Sequence, residues 1–543
     1  MEKIAQQAAG FPKPEGVFSY GTAGFRTEAS LLPSTVFRCG ILIALRALQQ
    51  KAATGLMITA SHNPEADNGV KLADPTGGML SIAWEVYANE LANAETVDAL
   101  IGLVADIMQK EEIPEAGARS EITVLLGRDT RKSSAGLAAA AIAGIEAAGV
   151  RVLDLGLLTT PQLHYLVRAY NRVPAEAHTE EAYFESLASS FRVLVGKTQG
   201  SGAVICDAAN GVGASKMTTL LSKLGPLLEM EVRNEGKGAL NSNCGADFVQ
   251  KEQKLPTAFE SPRDDGRRCV SLDGDADRLV YFSCENGEMR LFDGDKIAVL
   301  FSSYIGALLK AVPKGEISSA SVGVVQTAYA NGSSTEYIRS TLGLQVETTP
   351  TGVKFLHRAA EEFDVGIYFE ANGHGTVLFK EEWAQKVLAA PTGGDAAEGE
   401  AEVALLKLKA LIRLINQAVG DALSGVLLVE AILRHNCWEL QDWDALYTDL
   451  PSRQLKVKVA DRAKIETMDA ETRVRHPADL QPLIDATVAR YSQGRAFTRP
   501  SGTEDVVRVY AEAATRAETE ELAVEVARHV YDKAGDSQEQ TTE

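Results

Sequence analysis

Val270-Ser271-Leu272-Asp273-Gly274-Asp275-Ala276-Asp277-Arg278 reads as a short apolar strand that runs into a loop with a carboxylate at every second position. The same pattern recurs on either side of it. Residues 55–59, 122–126, 152–155, 203–206, 322–325 and 366–369 are short branched or apolar runs, each soon followed by Gly, Asp, Ser or Asn, as buried strands are. Helical windows rich in Ala and Leu lie between them, at 134–148, 214–224, 296–309 and 355–362. This βα rhythm predicts parallel sheets with crossover helices, and places the chemistry in loops at the carboxyl ends of strands. From Cys437 onward the rhythm shortens to an α+β pattern around 454–459, 496–500 and 506–513, which reads as a separate C-terminal domain.

The chain has 543 residues, too many for one core, and at about 150 residues per domain it should hold three to four domains. Its 45% apolar and 24% charged content excludes a largely disordered, fibrous or membrane-spanning protein. No apolar run reaches the roughly 18 residues of a membrane span. A net charge of −20 repels polyanions, so nucleic acid and anionic membranes are not expected as partners. A small phosphate ester remains possible where a few Arg and Lys gather, because distant charges are screened beyond about 10 Å. Six cysteines without a CxxC spacing read as reduced core thiols, and residues 1–10 lack the apolar stretch of a secretory signal. A cytoplasmic protein is expected. Polar stretches at 174–183 and 391–402 read as surface insertions or boundaries, and 534–543 as a frayed tail.

Asp273, Asp275 and Asp277 would repel one another strongly unless a cation sat among them. Hard oxygen ligands of this kind suit Mg²⁺. The run begins like a calcium loop, but its sixth position is Arg278 and its twelfth Cys284, where such a loop needs Gly and Glu. A solvated acidic turn is the alternative. Thr59-Ala60-Ser61-His62-Asn63-Pro64 presents a serine on a strand-to-loop turn, with no hydrolase elbow or acyl-transfer triad around it; a self-satisfied polar turn is its plain reading. Lys71 follows closely enough to bring a proton carrier to the same place. Arg499-Pro500-Ser501-Gly502-Thr503-Glu504-Asp505, with Arg508 behind, combines guanidinium, hydroxyls and glycine-exposed amides as a phosphate cradle would. Tyr20-Gly21-Thr22-Ala23-Gly24-Phe25-Arg26 is a weaker turn that is not a dinucleotide fingerprint. Glu370-Ala371-Asn372-Gly373-His374-Gly375 offers a carboxylate and an amide suited to sugar hydroxyls.

Together these segments fit phosphoryl transfer on a sugar phosphate. TASHNP, DGDADR, EANGHG and RPSGTE, in that order, resemble the α-D-phosphohexomutase superfamily over about residues 20–513. Within it the chain looks most like the eukaryotic branch that works on N-acetylglucosamine phosphates. TASHNP precedes Gly127-Arg128-Asp129-Thr130-Arg131, whereas the glucose and mannose enzymes place the serine loop after that segment. Those enzymes also carry a G-E-x-S type of sugar loop in place of EANGHG, and Leu240-Asn241-Ser242-Asn243-Cys244-Gly245-Ala246-Asp247-Phe248 again looks like this branch.

The resemblance implies four domains around a central cleft. Three are α/β with mixed or parallel sheets (1–185, 186–297 and 298–435), and a C-terminal α+β domain (436–543) carries the cradle. It implies an isomerase that interconverts N-acetylglucosamine 6-phosphate and N-acetylglucosamine 1-phosphate on the way to UDP-N-acetylglucosamine, with a 1,6-bisphosphorylated hexose as intermediate and primer. Ser61 would carry phosphate, and Mg²⁺ would be held by that phosphate with Asp273, Asp275 and Asp277, although Zn²⁺ or Mn²⁺ fits the same carboxylates. Arg26 and Arg278 would stabilise the moving phosphoryl group. Lys71 or His62 would take the proton. Glu370, Asn372, Gly373, Thr351 and Gly352 would contact the sugar, Asn372 and Gly373 leaving room for the acetamido group. Arg499, Ser501, Gly502, Thr503 and Arg508 would hold the phosphate that is not reacting. Lys354 is expected near a phosphate, while Arg128 and Lys132 either add charge to the cleft or form surface pairs. The expected partner is a small sugar phosphate alone, bound to a monomer. A glucose or mannose mutase of relaxed specificity, a non-catalytic sugar-phosphate sensor and a phosphatase are the competing readings.

Overall fold

Three of the strands that are buried along their whole length each found a sheet: Thr54–Ile58, Arg268–Leu272 and Val365–Phe369. Near-continuous apolar runs of this kind are what two-sided burial demands. The computed structural model describes residues 1–21, 24–114, 122–172, 178–198, 202–392, 399–501 and 505–535. Its first sheet holds β1 (Phe25–Glu28), β2 (Thr54–Ile58), β3 (Asp67–Ala73), β4 (Thr123–Arg128) and β5 (Arg151–Leu157). The second holds β6 (Val204–Asp207), β7 (Met230–Arg233), β8 (Arg268–Leu272), β9 (Leu279–Glu285) and β10 (Glu288–Phe292). The third holds β11 (Val322–Thr327), β12 (Gln345–Thr349), β13 (Val365–Phe369) and β14 (Gly375–Phe379). Then come β15 (Ser452–Lys458), a small ribbon of β16 (Glu466–Met468) and β17 (Arg473–His476), and finally β18 (Arg495–Pro500) and β19 (Val506–Glu512).

The sheets are mixed, one of the two forms the sequence reading allowed. In each of the first three, the founding strand pairs in parallel with one neighbour and turns back through its loop into an antiparallel partner on the other side. Ile58 thereby faces Val70, Leu272 faces Leu279 and Phe369 faces Gly375. The loops that carry the unusual residues are therefore hairpin connections, not strand-to-helix turns. The spatial orders β5-β4-β2-β3, β7-β6-β8-β9 and β12-β11-β13-β14 repeat one arrangement. In the second and third sheets the hairpin comes last in the chain, and in the first it comes before the parallel pair. That cyclic shift is the structural form of TASHNP preceding the Gly127–Arg131 segment.

The second and third sheets share one apolar core with the helices Glu180–Val195, Gly294–Ala311, Glu400–Leu414 and Ala422–Asn436. The last of these is buried from Ala422 to Arg434. The first sheet has its own core with Pro33–Gln50 and Ser134–Ala147, and the antiparallel sheet β15-β19-β18 packs on Arg516–Ala534. Divisions at 185/186 and 297/298 fall inside Glu180–Val195 and Gly294–Ala311. Each is one hydrogen-bonded element with one packed face, so a domain boundary belongs at its end and not within it. Five of the six cysteines are buried, Cys437 is exposed, and all six are free. Residues 393–398 of the 391–402 stretch and 536–543 of the tail lie outside the described residues. Among the described residues no helix is long and apolar enough to cross a membrane.

Candidate active site

Ser61 sits in the β2–β3 hairpin with a left-handed backbone (φ 52°), uncommon for a residue with a side chain. Its hydroxyl donates a 2.6 Å hydrogen bond to Asp273 Oδ2 in the β8–β9 hairpin. Two groups from different sheets hold the loop in this shape. Arg131 Nη2 donates to the carbonyls of Ser61 (3.0 Å) and Asn63 (2.9 Å), and Asn241 Nδ2 donates to the same two carbonyls at 2.8 and 3.0 Å. Arg131 uses its remaining donors on Asp129 (Nε, 3.0 Å) and on the carbonyls of Pro64 and Asp67 (Nη1, 2.5 and 2.9 Å), so the whole guanidinium fork is satisfied. Residue 274 must be glycine for the two hairpins to touch, because a Cβ there would lie 2.6 Å from the Ser61 carbonyl.

Asp273, Asp275 and Asp277 are buried and bring one carboxylate oxygen each to within 4.8 Å of one another. Lys71 Nζ lies 2.8 Å from both Asp275 Oδ2 and Asp277 Oδ2, and Thr160 Oγ1 donates to Asp275 Oδ2 at 2.6 Å. Asp275 Oδ1 and Asp277 Oδ1 are buried without a hydrogen-bond partner. Orphaned anionic oxygens converging in a protein interior fit a hard divalent cation. Burial, with Asp277 and Asp275 beside it, holds the Asp273 carboxyl well above its ordinary range. Burial also opposes charge on Asp277, but Lys71, His374 and Arg278 outweigh it and hold that carboxyl low. Burial would strip the proton from Lys71, yet Asp275 and Asp277 outweigh it and keep the amine charged. Burial and mutual repulsion thus work against full ionisation of the three carboxylates, and a metal ion among them would remove that conflict.

Arg278 pairs with Asp247 and sets its Nε 3.7 Å from Asp277 Oδ1 and 3.9 Å from Asp273 Oδ2. His62 Nε2 is 3.9 Å from Asp247 Oδ2. Burial and the Arg278 guanidinium push the His62 imidazole down to about 3, so it is neutral. Arg26 projects from β1 as an exposed side chain, opposite Gly69 of β3. The β13–β14 hairpin closes on itself: the Glu370 N–H donates to the His374 carbonyl, the Gly373 N–H to the Glu370 carbonyl and the His374 N–H to Asn372 Oδ1, each at 2.9 Å.

In the C-terminal sheet the register sets Arg499 of β18 opposite Arg508 of β19, and Lys456 of β15 opposite Arg508 on its other side. Three cations therefore stand in a row on one face. Like charges directly opposite each other destabilise a sheet unless an anion joins them, and a phosphate joined to such a row gains bidentate bonds. Ser501 is buried, and its N–H closes the turn on the Val506 carbonyl at 2.9 Å. Gly502 and Thr503 lie outside the described residues. Arg499 is tied to Glu471, with Nε 2.9 Å from Oε1, and Glu471 Oε2 accepts from the N–H and hydroxyl of Thr351, both at 2.9 Å.

A family model for phosphoacetylglucosamine mutase AMG1 matches residues 174–280 as its domain II and 293–438 as its domain III. Models for phosphoglucomutase/phosphomannomutase match 40–89 and 81–178 as the α/β/α domain I, and 455–529 as the C-terminal domain. The phosphoacetylglucosamine mutase of Arabidopsis thaliana is 50% identical over 97% of each chain. The chain belongs to the phosphoacetylglucosamine mutase family. Two solved structures of the Aspergillus fumigatus N-acetylphosphoglucosamine mutase are 43% identical and cover 98% of both chains. One is a complex with GlcNAc-6P and magnesium (TM-score 0.91). The other is a serine-to-alanine variant with glucose 1,6-bisphosphate (TM-score 0.89).

For this phosphoacetylglucosamine mutase family member the structure unites Ser61, His62, Lys71, Arg278 and the three carboxylates in one cluster, through direct bonds or through Asp247. It places some residues differently from the sequence reading. Gly373 (φ 83°) directs its missing side chain at the Leu279 carbonyl, so its smallness also serves the approach of the second sheet. Lys354 pairs with Glu85 at 2.9 Å rather than standing free for a phosphate. Of the two alternatives for Lys132 the structure has the surface pair, with Glu65, and the cation of that segment that clamps the serine loop is Arg131, which the sequence reading passed over. It also passed over Asp129, Asn241 as a clamp, Asp247, Glu471 and Lys456. The spacing of Arg131 two residues after Asp129 was a usable signal, since an Asp-x-Arg turn can self-pair; the others depend on contacts between separate elements of the chain, from Glu471 with Arg499 to Asn241 with Ser61.

Proposed function

We propose that the chain interconverts N-acetylglucosamine 6-phosphate and N-acetylglucosamine 1-phosphate through phospho-Ser61. The observation that carries this reading is the hydrogen bond from Ser61 Oγ to Asp273 Oδ2, which seats the serine on the rim of a three-carboxylate cation site. Asp273, Asp275 and Asp277 would hold Mg²⁺ together with an oxygen of the phosphoserine, and the ion supplies charge neutralisation of the transferring group. In the forward direction O1 of the 6-phosphate attacks the phosphorus on Ser61. The P–O1 bond forms, the P–Oγ bond breaks and the O1 proton leaves, giving a 1,6-bisphosphate. After the sugar turns end for end, the 6-phosphate returns to Ser61.

Arg278, already beside Asp273 and Asp277, and Arg26 would meet the charge on the transferring group. His62 is neutral with an unpartnered Nδ1, but an imidazole held down to about 3 is a weak base, and it would take the proton only as charge on the transferring group builds beside it. Lys71 is charged and can accept one only after Asp275 and Asp277 turn from it to a metal ion. Arg499, Arg508 and Ser501, with Gly502 and Thr503, would grip the idle phosphate, while Glu370, Asn372, Thr351 and Gly352 would contact the sugar. The free cysteines support a reducing, cytoplasmic setting, and the reading needs one copy of the chain.

The test is phosphorus NMR of the purified chain with Mg²⁺, N-acetylglucosamine 6-phosphate and a trace of glucose 1,6-bisphosphate. A 1-phosphate resonance that rises to a constant ratio and is abolished by EDTA supports the proposal. Inorganic phosphate alone would make the protein a phosphatase, and faster turnover of glucose 1-phosphate would move it to the glucose enzymes.

A further inference from the structure

We infer that Glu471 is a positioning residue that fixes the phosphate-gripping Arg499 to the sugar-contacting loop at Thr351, so that the idle phosphate is held at a set height over the cleft. The inference rests on the roles proposed above for Arg499 and Thr351. Glu471 lies between β16 and β17, in the same domain as Arg499 and 120 residues from Thr351. One of its oxygens meets Arg499 at Nε, and the other takes both donors of Thr351. The closest approach is made at the stem end of the guanidinium, the arrangement that orients an arginine while leaving its terminal nitrogens to grip an anion.

Three further observations bear on it. Asp469, Ala470 and Glu471 are consecutive left-handed residues (φ 50°, 56° and 67°), none of them glycine. Each such residue costs on the order of 1 kcal/mol and persists only where the surroundings over-determine it. Here those surroundings include the two Thr351 hydrogen bonds and the Arg499 ion pair at the Glu471 carboxylate. Arg499 stands opposite Arg508 across the strands, and a carboxylate at one end of this pair offsets their repulsion until phosphate arrives. Finally, the Thr351 loop is tied at its other end as well: Lys354 Nζ lies 2.9 Å from Glu85 Oε2 on the helix Ile82–Ala92 of the first sheet. The loop is thus fixed to the serine-bearing unit at one end and, through Glu471, to the cradle at the other.

Because the same cradle must serve the 6-phosphate and the 1-phosphate, loss of the tie should weaken both alike. The experiment compares the full chain with Glu471→Gln and Thr351→Val. It measures KM and kcat in both directions, binding of inorganic phosphate by calorimetry, and the thermal midpoint. Glu471→Gln removes the charge that meets Arg499, and is expected to raise both KM values and the phosphate Kd about tenfold with kcat changed less than about twofold. Thr351→Val removes one hydroxyl bond and should raise them by about twofold. An unchanged phosphate Kd overturns the inference, as does a lower one, which would make Glu471 a competitor of phosphate. A fall in thermal midpoint with phosphate affinity retained overturns it in favour of a purely structural tie. If the unaltered chain fails to turn over N-acetylglucosamine phosphates, the preceding proposal falls, while the calorimetry still decides the role of Glu471.

Discussion

Ser61 and Asp273 are separated by 212 residues and joined by a 2.6 Å hydrogen bond, the point at which the first and second sheets meet in the site. Each belongs to a hairpin that follows a fully buried strand, so rigid sheets set the distance between them. That bond places the serine oxygen beside the three converging carboxylates.

Ser61→Ala should abolish mutase turnover, by about 10⁴-fold or more, since the covalent carrier is gone. Asp273→Asn should lose turnover comparably and also lose rescue by Mg²⁺ after treatment with EDTA. Coupled assay of N-acetylglucosamine-phosphate turnover with and without added Mg²⁺ checks both; residual activity near the unaltered level in Ser61→Ala would identify a different carrier.

The two clamps on the serine loop should behave differently. Arg131→Met strands Asp129 as a buried charge without its cation, and should cost about 3–5 kcal/mol in urea unfolding. Asn241→Ala deletes two bonds to the loop carbonyls from the second sheet, and should lower kcat about ten- to hundredfold through misplacement of Ser61. Its unfolding free energy should move by no more than about 1 kcal/mol. Equal losses of stability in the two variants would contradict this division of labour.

Lys456 extends the row of Arg499 and Arg508 by one strand. Lys456→Ala should raise KM about threefold for both sugar phosphates, an effect that fades at high salt because the residue is exposed. Steady-state kinetics over a range of KCl concentrations checks this; a KM that is unaltered at low salt would remove Lys456 from the cradle.

His164 is buried beside Gly77, with Nδ1 2.5 Å from that carbonyl, and burial pushes its imidazole down to about 4. The unfolded chain protonates the same ring near 6.5, so between 6.5 and 4 the unfolded state binds more protons and stability falls as pH falls. At pH 5 the deficit from this residue is about 2 kcal/mol. His164→Gln should flatten that part of the profile, as measured by urea unfolding at pH 7.5 and pH 5. A slope identical to that of the unaltered chain would mean the ring titrates normally in the fold.

Much of the molecule was legible in the chain itself. Runs such as Val365–Phe369 announce buried strands because two-sided burial selects branched and apolar residues locally. Asp273, Asp275 and Asp277 announce a cation site because their spacing within one loop already forces like charges together. What tertiary structure decided was everything that depends on register and on partners distant in sequence. The hairpin after each founding strand is antiparallel because a short loop returns the chain alongside itself, which no local periodicity distinguishes from a crossover. Arg499, Arg508 and Lys456 form a row only through the pairing of β18, β19 and β15. Arg131, Asn241 and Glu471 look like ordinary polar residues in the sequence, and acquire their roles from carbonyls and a guanidinium that only folding brings within 3 Å. Local patterning selects which elements form. Long-range packing selects which of their polar groups meet, because a hydrogen bond depends on tenths of an ångström that the intervening chain does not encode.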